Sequence, residues 1–77
     1  FISQLRQLSA DLQEEVDAAV VLFKKNPRAR SLRLHKMHGP LAGFYSFSVN
    51  YHYRIICMYP EKDIVVLTAV GSHDIYQ

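Results

Sequence analysis

Four histidines (His35, His38, His52 and His73) and one arginine inside an apolar run, Arg54, are the residues of this 77-residue chain best equipped for chemistry. Histidine exchanges a proton near neutral pH and so serves as general acid or base, while arginine keeps its charge and grips phosphate oxygens. Arg54 stands in Tyr53-Arg-Ile-Ile-Cys-Met-Tyr59, where a cation is costly unless it is paired or turned to an open surface; Asp74 and Glu61 are the pairing partners the sequence offers. His73 follows Gly71-Ser72 at the end of the last apolar run, where a segment leaving a sheet can present it to a site, with Tyr76 close behind. His35 alternates with Leu32 and Leu34, so a strand would send it, with Arg33 and Met37, to the side opposite the leucines. His38 at the Gly39-Pro40 connection and His52 in a short turn read as solvated.

Other chemistries lack their residues. The offset of His35 and His38 sends the two rings to opposite faces of a strand, and no cysteine cluster joins them, so no metal site is expected. There is no Gly-rich phosphate loop, no G-x-S-x-G elbow and no dinucleotide fingerprint, and no cofactor is expected. Paired-carboxylate catalysis is disfavoured because Asp11, Glu14, Glu15 and Asp17 share one helix.

The elements that must position these groups follow from periodicity. Phe1, Ile2, Leu5 and Leu8 recur at helical spacing; Ser9 then stands as an N-cap, and Leu12, Val16, Ala19, Val20 and Phe23 form the apolar stripe of a second helix that Asn26-Pro27 ends. From Arg30 the period moves toward two: Leu32 and Leu34, then Tyr45, Phe47 and Val49, then the runs Tyr53 to Tyr59 and Ile64 to Val70. Gly39 to Gly43, Asn50-Tyr51-His52 and Pro60 to Asp63 are turns. The expectation is a single α+β domain spanning 1–77, with helices over about 1–25, antiparallel strands over about 30–72 and a C-terminal segment 73–77. The helix hairpin would cover one sheet face and leave the other open to solvent, where a site belongs.

Composition narrows the class. The lone Cys57 cannot form an intramolecular disulfide and lies in an apolar run, and no apolar stretch approaches a membrane span, so the expectation is a reduced, soluble, cytoplasmic protein. The net charge of +2 is unevenly spread: residues 1–20 carry −3, residues 21–58 carry +7 with no acid, and residues 59–77 carry −2. An acid-free block holding Lys24, Lys25, Arg28, Arg30, Arg33, Lys36 and Arg54 points to a polyanion such as nucleic acid, whose phosphates release counterions on binding.

The ordered set Phe1…Leu5…Leu8, Asn26-Pro27, Ser31-Leu-Arg-Leu-His35-Lys36-Met, Gly39…Gly43-Phe-Tyr-Ser-Phe-Ser-Val, Tyr53-Arg54-Ile-Ile and Val70-Gly-Ser-His73-Asp-Ile-Tyr76 resembles the RelE/ParE superfamily of type II toxin-antitoxin toxins. The resemblance spans the chain and implies two helices packed on a curved antiparallel sheet. Members usually open with a strand before the helices; none is present, and with Phe1 in place of Met the expectation is a trimmed N-terminus. The resemblance further implies a cytoplasmic toxin held by a cognate antitoxin and, in the RelE-like and YafQ-like branches, an endoribonuclease that cuts mRNA in the ribosomal A site. The ribose 2′-OH attacks its own phosphodiester, which requires no metal or cofactor.

On that resemblance Arg54 contacts the scissile phosphate, His73 is the general acid and His35 the candidate general base. Arg33 and Lys36 add charge for RNA, Tyr76 stacks on or orients it, and Ser48 and His52 occupy positions where some members carry another His or an acid. A ParE-like gyrase inhibitor, or a member that only binds its antitoxin, is the alternative the resemblance leaves open.

Overall fold

The computed structural model describes residues 1–72, so His73, Asp74 and Tyr76 lie outside the described residues. A five-residue helix α1 (Ile2–Arg6) leads into α2 (Ala10–Lys25), and four strands follow: β1 (His35–Lys36), β2 (Tyr45–Ser48), β3 (Tyr53–Glu61) and β4 (Ile64–Ser72). The sheet is antiparallel throughout, in the order β1-β2-β3-β4. No helix among the described residues is long and apolar enough to cross a membrane.

α2 begins where the Ser9 hydroxyl accepts the Leu12 N–H at 3.2 Å, one of the helix's otherwise unpaired donors. Asp11 in its first turn and Lys24 and Lys25 in its last complement the helix dipole. Val16, Ala19 and Phe23 carry its buried stripe onto Phe47, Ile55, Cys57 and Val70 of the sheet. The Phe23 and Phe47 rings stack, with centroids 4.4 Å apart and planes 3° from parallel. α1 is tied to the outermost strand by Gln4 Oε1, which accepts the Val70 N–H at 2.9 Å.

Three sequence expectations change. Leu32 does not begin a strand: Arg30–Leu32 is a 3₁₀ turn that buries Leu32 in the core, and Arg33, at φ 50° and ψ 45°, turns the chain through the left-handed region before β1 starts at His35. The alternation of Leu32 and Leu34 therefore arises from a turn followed by a two-residue strand. The sheet face away from the helices is also less open than expected, since Ser46 (0 % exposed) and Ile56 (2 %) are closed over at its centre. Among the described residues the Ser46 hydroxyl has no hydrogen-bond partner.

The turns are built as their residues require. Gly39 at φ 66° and Gly43 at φ 96° bracket the β1–β2 connection in a conformation that side chains disfavour. Asn50 Oδ1 accepts from the backbone N–H of His52 (2.8 Å) and Tyr53 (2.9 Å), closing the β2–β3 turn on itself. The last turn is shorter than expected: Pro60 and Glu61 extend β3 and leave Lys62-Asp63 as the turn, and the Pro60 imide, which has no N–H, lies within an irregularity of the ladder between Met58 and Glu61.

Candidate nucleic-acid interface

Register assigns each side chain to a face. Arg54 pairs with Ser48 on one side and Gly71 on the other, so the guanidinium has only small neighbours across the strands and room above it. Its face is the one away from the helices, because the adjacent Ile55 belongs to the core. Glu61 cannot neutralise it: the two are seven residues apart along β3, about 23 Å at the usual rise per residue. The other pairing candidate, Asp74, lies outside the described residues.

Arg33 reaches the same region by a different route. Its left-handed backbone ends the 3₁₀ turn, and its side chain joins Arg54 in an open cleft of about 380 Å³ whose other walls are Ser31, Ser48, Asn50 and Tyr51. Among the described residues no acid lines the cleft. Two guanidinium groups, hydroxyls and a side-chain amide suit an anion with several oxygens, and the volume falls in the range of small-molecule sites. At its rim Tyr51 is 90 % exposed on a turn held by Asn50, whose amide also donates to Glu15 Oε2 on α2 at 3.2 Å. An exposed, pre-positioned aromatic ring beside two arginines is a platform for a base. Tyr51 was missing from the sequence-derived candidates because a tyrosine in a turn has no periodicity to mark it.

His35 is on the Arg54 face but not in the Arg54 cleft. It pairs with Ser46, two strands over and two residues along from Arg54, which standard sheet spacings convert to roughly 12 Å between Cα atoms. Its Nδ1–H donates to the Arg33 carbonyl at 2.9 Å. A carbonyl only accepts, so this bond fixes the proton on Nδ1 and leaves Nε2 as the nitrogen that can take one. The same contact couples the ring's orientation to the strained turn at Arg33.

Lys36 points elsewhere. Its partner across the strands is Tyr45, a core-side residue, and it lines a second open concavity, also of about 380 Å³, with Arg28, His35, Tyr45 and Tyr59. Tyr45 and Tyr59 meet edge to face with centroids 5.1 Å apart. Burial raises the Tyr59 hydroxyl pKa, the charges of Cys57 and Tyr45 add to the rise, and the Arg28 guanidinium opposes it. Burial alone pushes the Cys57 thiol up to about 11, which makes it a core side chain and not a nucleophile.

His52 is exposed on the β2–β3 turn, its ring edge-on to Tyr51 at 5.8 Å. His38 is exposed before the Gly39–Leu41 turn. Among the described residues no three His, Cys, Asp or Glu side chains gather as metal ligands. The candidates thus divide: Arg33 and Arg54 share a cleft with His52 near its rim, His35 and Lys36 share a second, and His73 and Tyr76 fall outside the described residues.

No protein-family model matches the sequence, and a search of curated proteins finds no match to it. Among solved structures the chain is similar to a YoeB/ParE toxin from Agrobacterium tumefaciens, with a TM-score of 0.69 over 88 % of this chain and 80 % of that one, at 16 % sequence identity. The likeness is one of architecture: this chain has a RelE/ParE-like α+β fold.

Proposed function

We propose that the protein is the toxin of a type II toxin-antitoxin pair and acts as a ribosome-dependent endoribonuclease, with mRNA in the A site as substrate and a cognate antitoxin as its inhibitor. The observation that carries this reading is the convergence of Arg33 and Arg54 on one cleft with no acid among its described lining residues, beside a histidine that is hydrogen-bonded to the Arg33 carbonyl and keeps Nε2 for a proton. The fold shared with a YoeB/ParE toxin supports it.

In the reaction, the ribose 2′-oxygen attacks the adjacent phosphorus while its proton passes to His35 Nε2. The bond from phosphorus to the 5′ oxygen breaks, that oxygen takes a proton from His73, and the products are a 2′,3′-cyclic phosphate and a 5′-hydroxyl. Arg54 and Arg33 balance the charge that builds on the non-bridging oxygens. Lys36 and His52 add positive or hydrogen-bonding contacts along the strand, and Tyr76 stacks on a base. Ribosomes programmed with a defined mRNA should be cut by the wild-type protein, with Arg54→Ala and His73→Ala each lowering the rate at least a hundredfold. Cleavage that survives both substitutions would overturn the assignment.

One observation favours a second reading. His35 lines a different concavity from Arg33 and Arg54, as a binding protein with no acid-base set would allow. On that reading the protein is a ParE-like inhibitor of DNA gyrase, or binds only its antitoxin. Inhibition of gyrase supercoiling without mRNA cleavage would select it.

A further inference from the structure

The concavity at the α2 end of the sheet shares His35 and Lys36 with the proposed reaction, but its other ionisable residues, Arg28, Tyr45 and Tyr59, have no part in that reaction. It sits just beyond the C-terminus of α2, where the chain passes through Pro27 and Arg28, and it is walled on the other side by β1 and the Tyr45 and Tyr59 rings. Its ionisable lining among the described residues is Arg28, His35, Lys36 and the two tyrosines, with no acid. Lys24 and Lys25 in the last turn of α2 add to the positive field on the approach. Tyr59 is 37 % exposed, a large ring left partly uncovered beside cations.

β1, two residues long, supplies His35 and Lys36 to this concavity and starts two residues after Arg33, which lines the cleft. A strand of nucleic acid gripped in the cleft and leaving over that edge meets the concavity next.

We propose that this concavity is a second nucleotide subsite for single-stranded RNA, in which a base packs against Tyr59, braced by Tyr45, and the adjoining phosphate is held by Arg28 and Lys36. It rests on the reading that the Arg33/Arg54 cleft holds a phosphate of the same strand. A paired aromatic edge beside cations suits a base joined to a phosphate better than an acidic peptide, which would use the charges and leave the rings idle.

The test is fluorescence anisotropy with labelled 2′-O-methyl oligouridylates, which lack the attacking hydroxyl and stay intact, in a short form of about three residues and a longer one of about eight. The full chain should bind the longer probe more tightly. Tyr59→Ala and Arg28→Ala should each weaken binding of the longer probe at least fivefold and leave the short probe unchanged, with Tyr59→Phe retaining wild-type affinity. Arg28 is exposed, so its replacement keeps the fold intact even if Tyr59→Ala does not. Unchanged affinity for the longer probe in both alanine variants would overturn the subsite, and if Arg54→Ala still weakened both probes the cleft would stand without it. Loss at Tyr59 and Arg28 with none at Arg54 would keep the subsite and remove the cleft. An acidic octapeptide that bound as tightly, with the same dependence on Tyr59, would overturn the assignment to RNA.

Discussion

The two faces of the sheet are made by alternate residues of the same strands. On the helix side, Phe47, Ile55, Cys57 and Val70 meet Val16, Ala19 and Phe23, and every one of them is at most 7 % exposed. On the other, Ser48, Arg54 and Gly71 form a row in which the one large side chain is a cation flanked by the two smallest available partners. The first face gains stability from each methylene it buries; the second forgoes packing to keep a charge accessible. A small domain has room to do this on one face only.

Three perturbations sharpen that contrast, beginning with the largest. Phe47→Ala removes the ring that stacks on Phe23 and opens a cavity at 0 % exposure, which should lower stability by about 3–5 kcal/mol in urea denaturation. Since a domain of this length has on the order of 4–12 kcal/mol in total, the variant should lose a quarter or more of its stability. A change under about 1 kcal/mol would mean the helix side is not where the fold is held.

The second uses pH. The Cys57 thiol is held to about 11 from an ordinary 9.0, so a folded chain keeps it neutral after an unfolded one has ionised it. Its neutral form contributes fully below pH 9, and stability should then fall as pH rises through the window from 9 to about 11. The loss should total about 3 kcal/mol, and Cys57→Ala should lack that component. Denaturation midpoints measured across this range for both proteins check the prediction, and equal slopes would place the thiol in contact with water.

The smallest has the opposite sign. Arg33 is the one non-glycine residue with positive φ among the described residues, a conformation that costs a side-chain-bearing residue about 1 kcal/mol. Arg33→Gly should therefore raise stability by about that amount while weakening RNA binding several-fold. If stability fell, Arg33 would be supporting the fold and not only the cleft.

Much of this was legible beforehand. The helix boundaries followed from Ser9 and from Asn26-Pro27, and the meander from turn residues between β-rich runs. Arg54 declared itself by being charged where its neighbours were apolar. What escaped was local: a left-handed residue at Arg33 leaves no trace in hydrophobic periodicity, because the leucines on either side alternate whether the chain extends or turns. For the same reason Tyr51 and the Tyr45/Tyr59 pair, brought together by a turn and by register, were invisible as sites. The division of His35 from Arg54 depended on knowing where the short first strand begins.

The sequential strand order has a kinetic side. Each strand pairs with its chain neighbour, so ordering the sheet closes only short loops, and folding should be fast for a β-containing protein. The β3–β4 ladder, nine residues on each strand and closed by the Lys62-Asp63 turn, is the natural seed, and pairing then spreads to β2 and last to β1. With only His35 and Lys36 paired, β1 is also the first strand to peel away. Amide exchange should find it opening while the core stays shut. The cationic edge that would guide a polyanion thus rides on the least tethered part of the sheet, and a ligand that bridged the two sides of β1 would hold it in place.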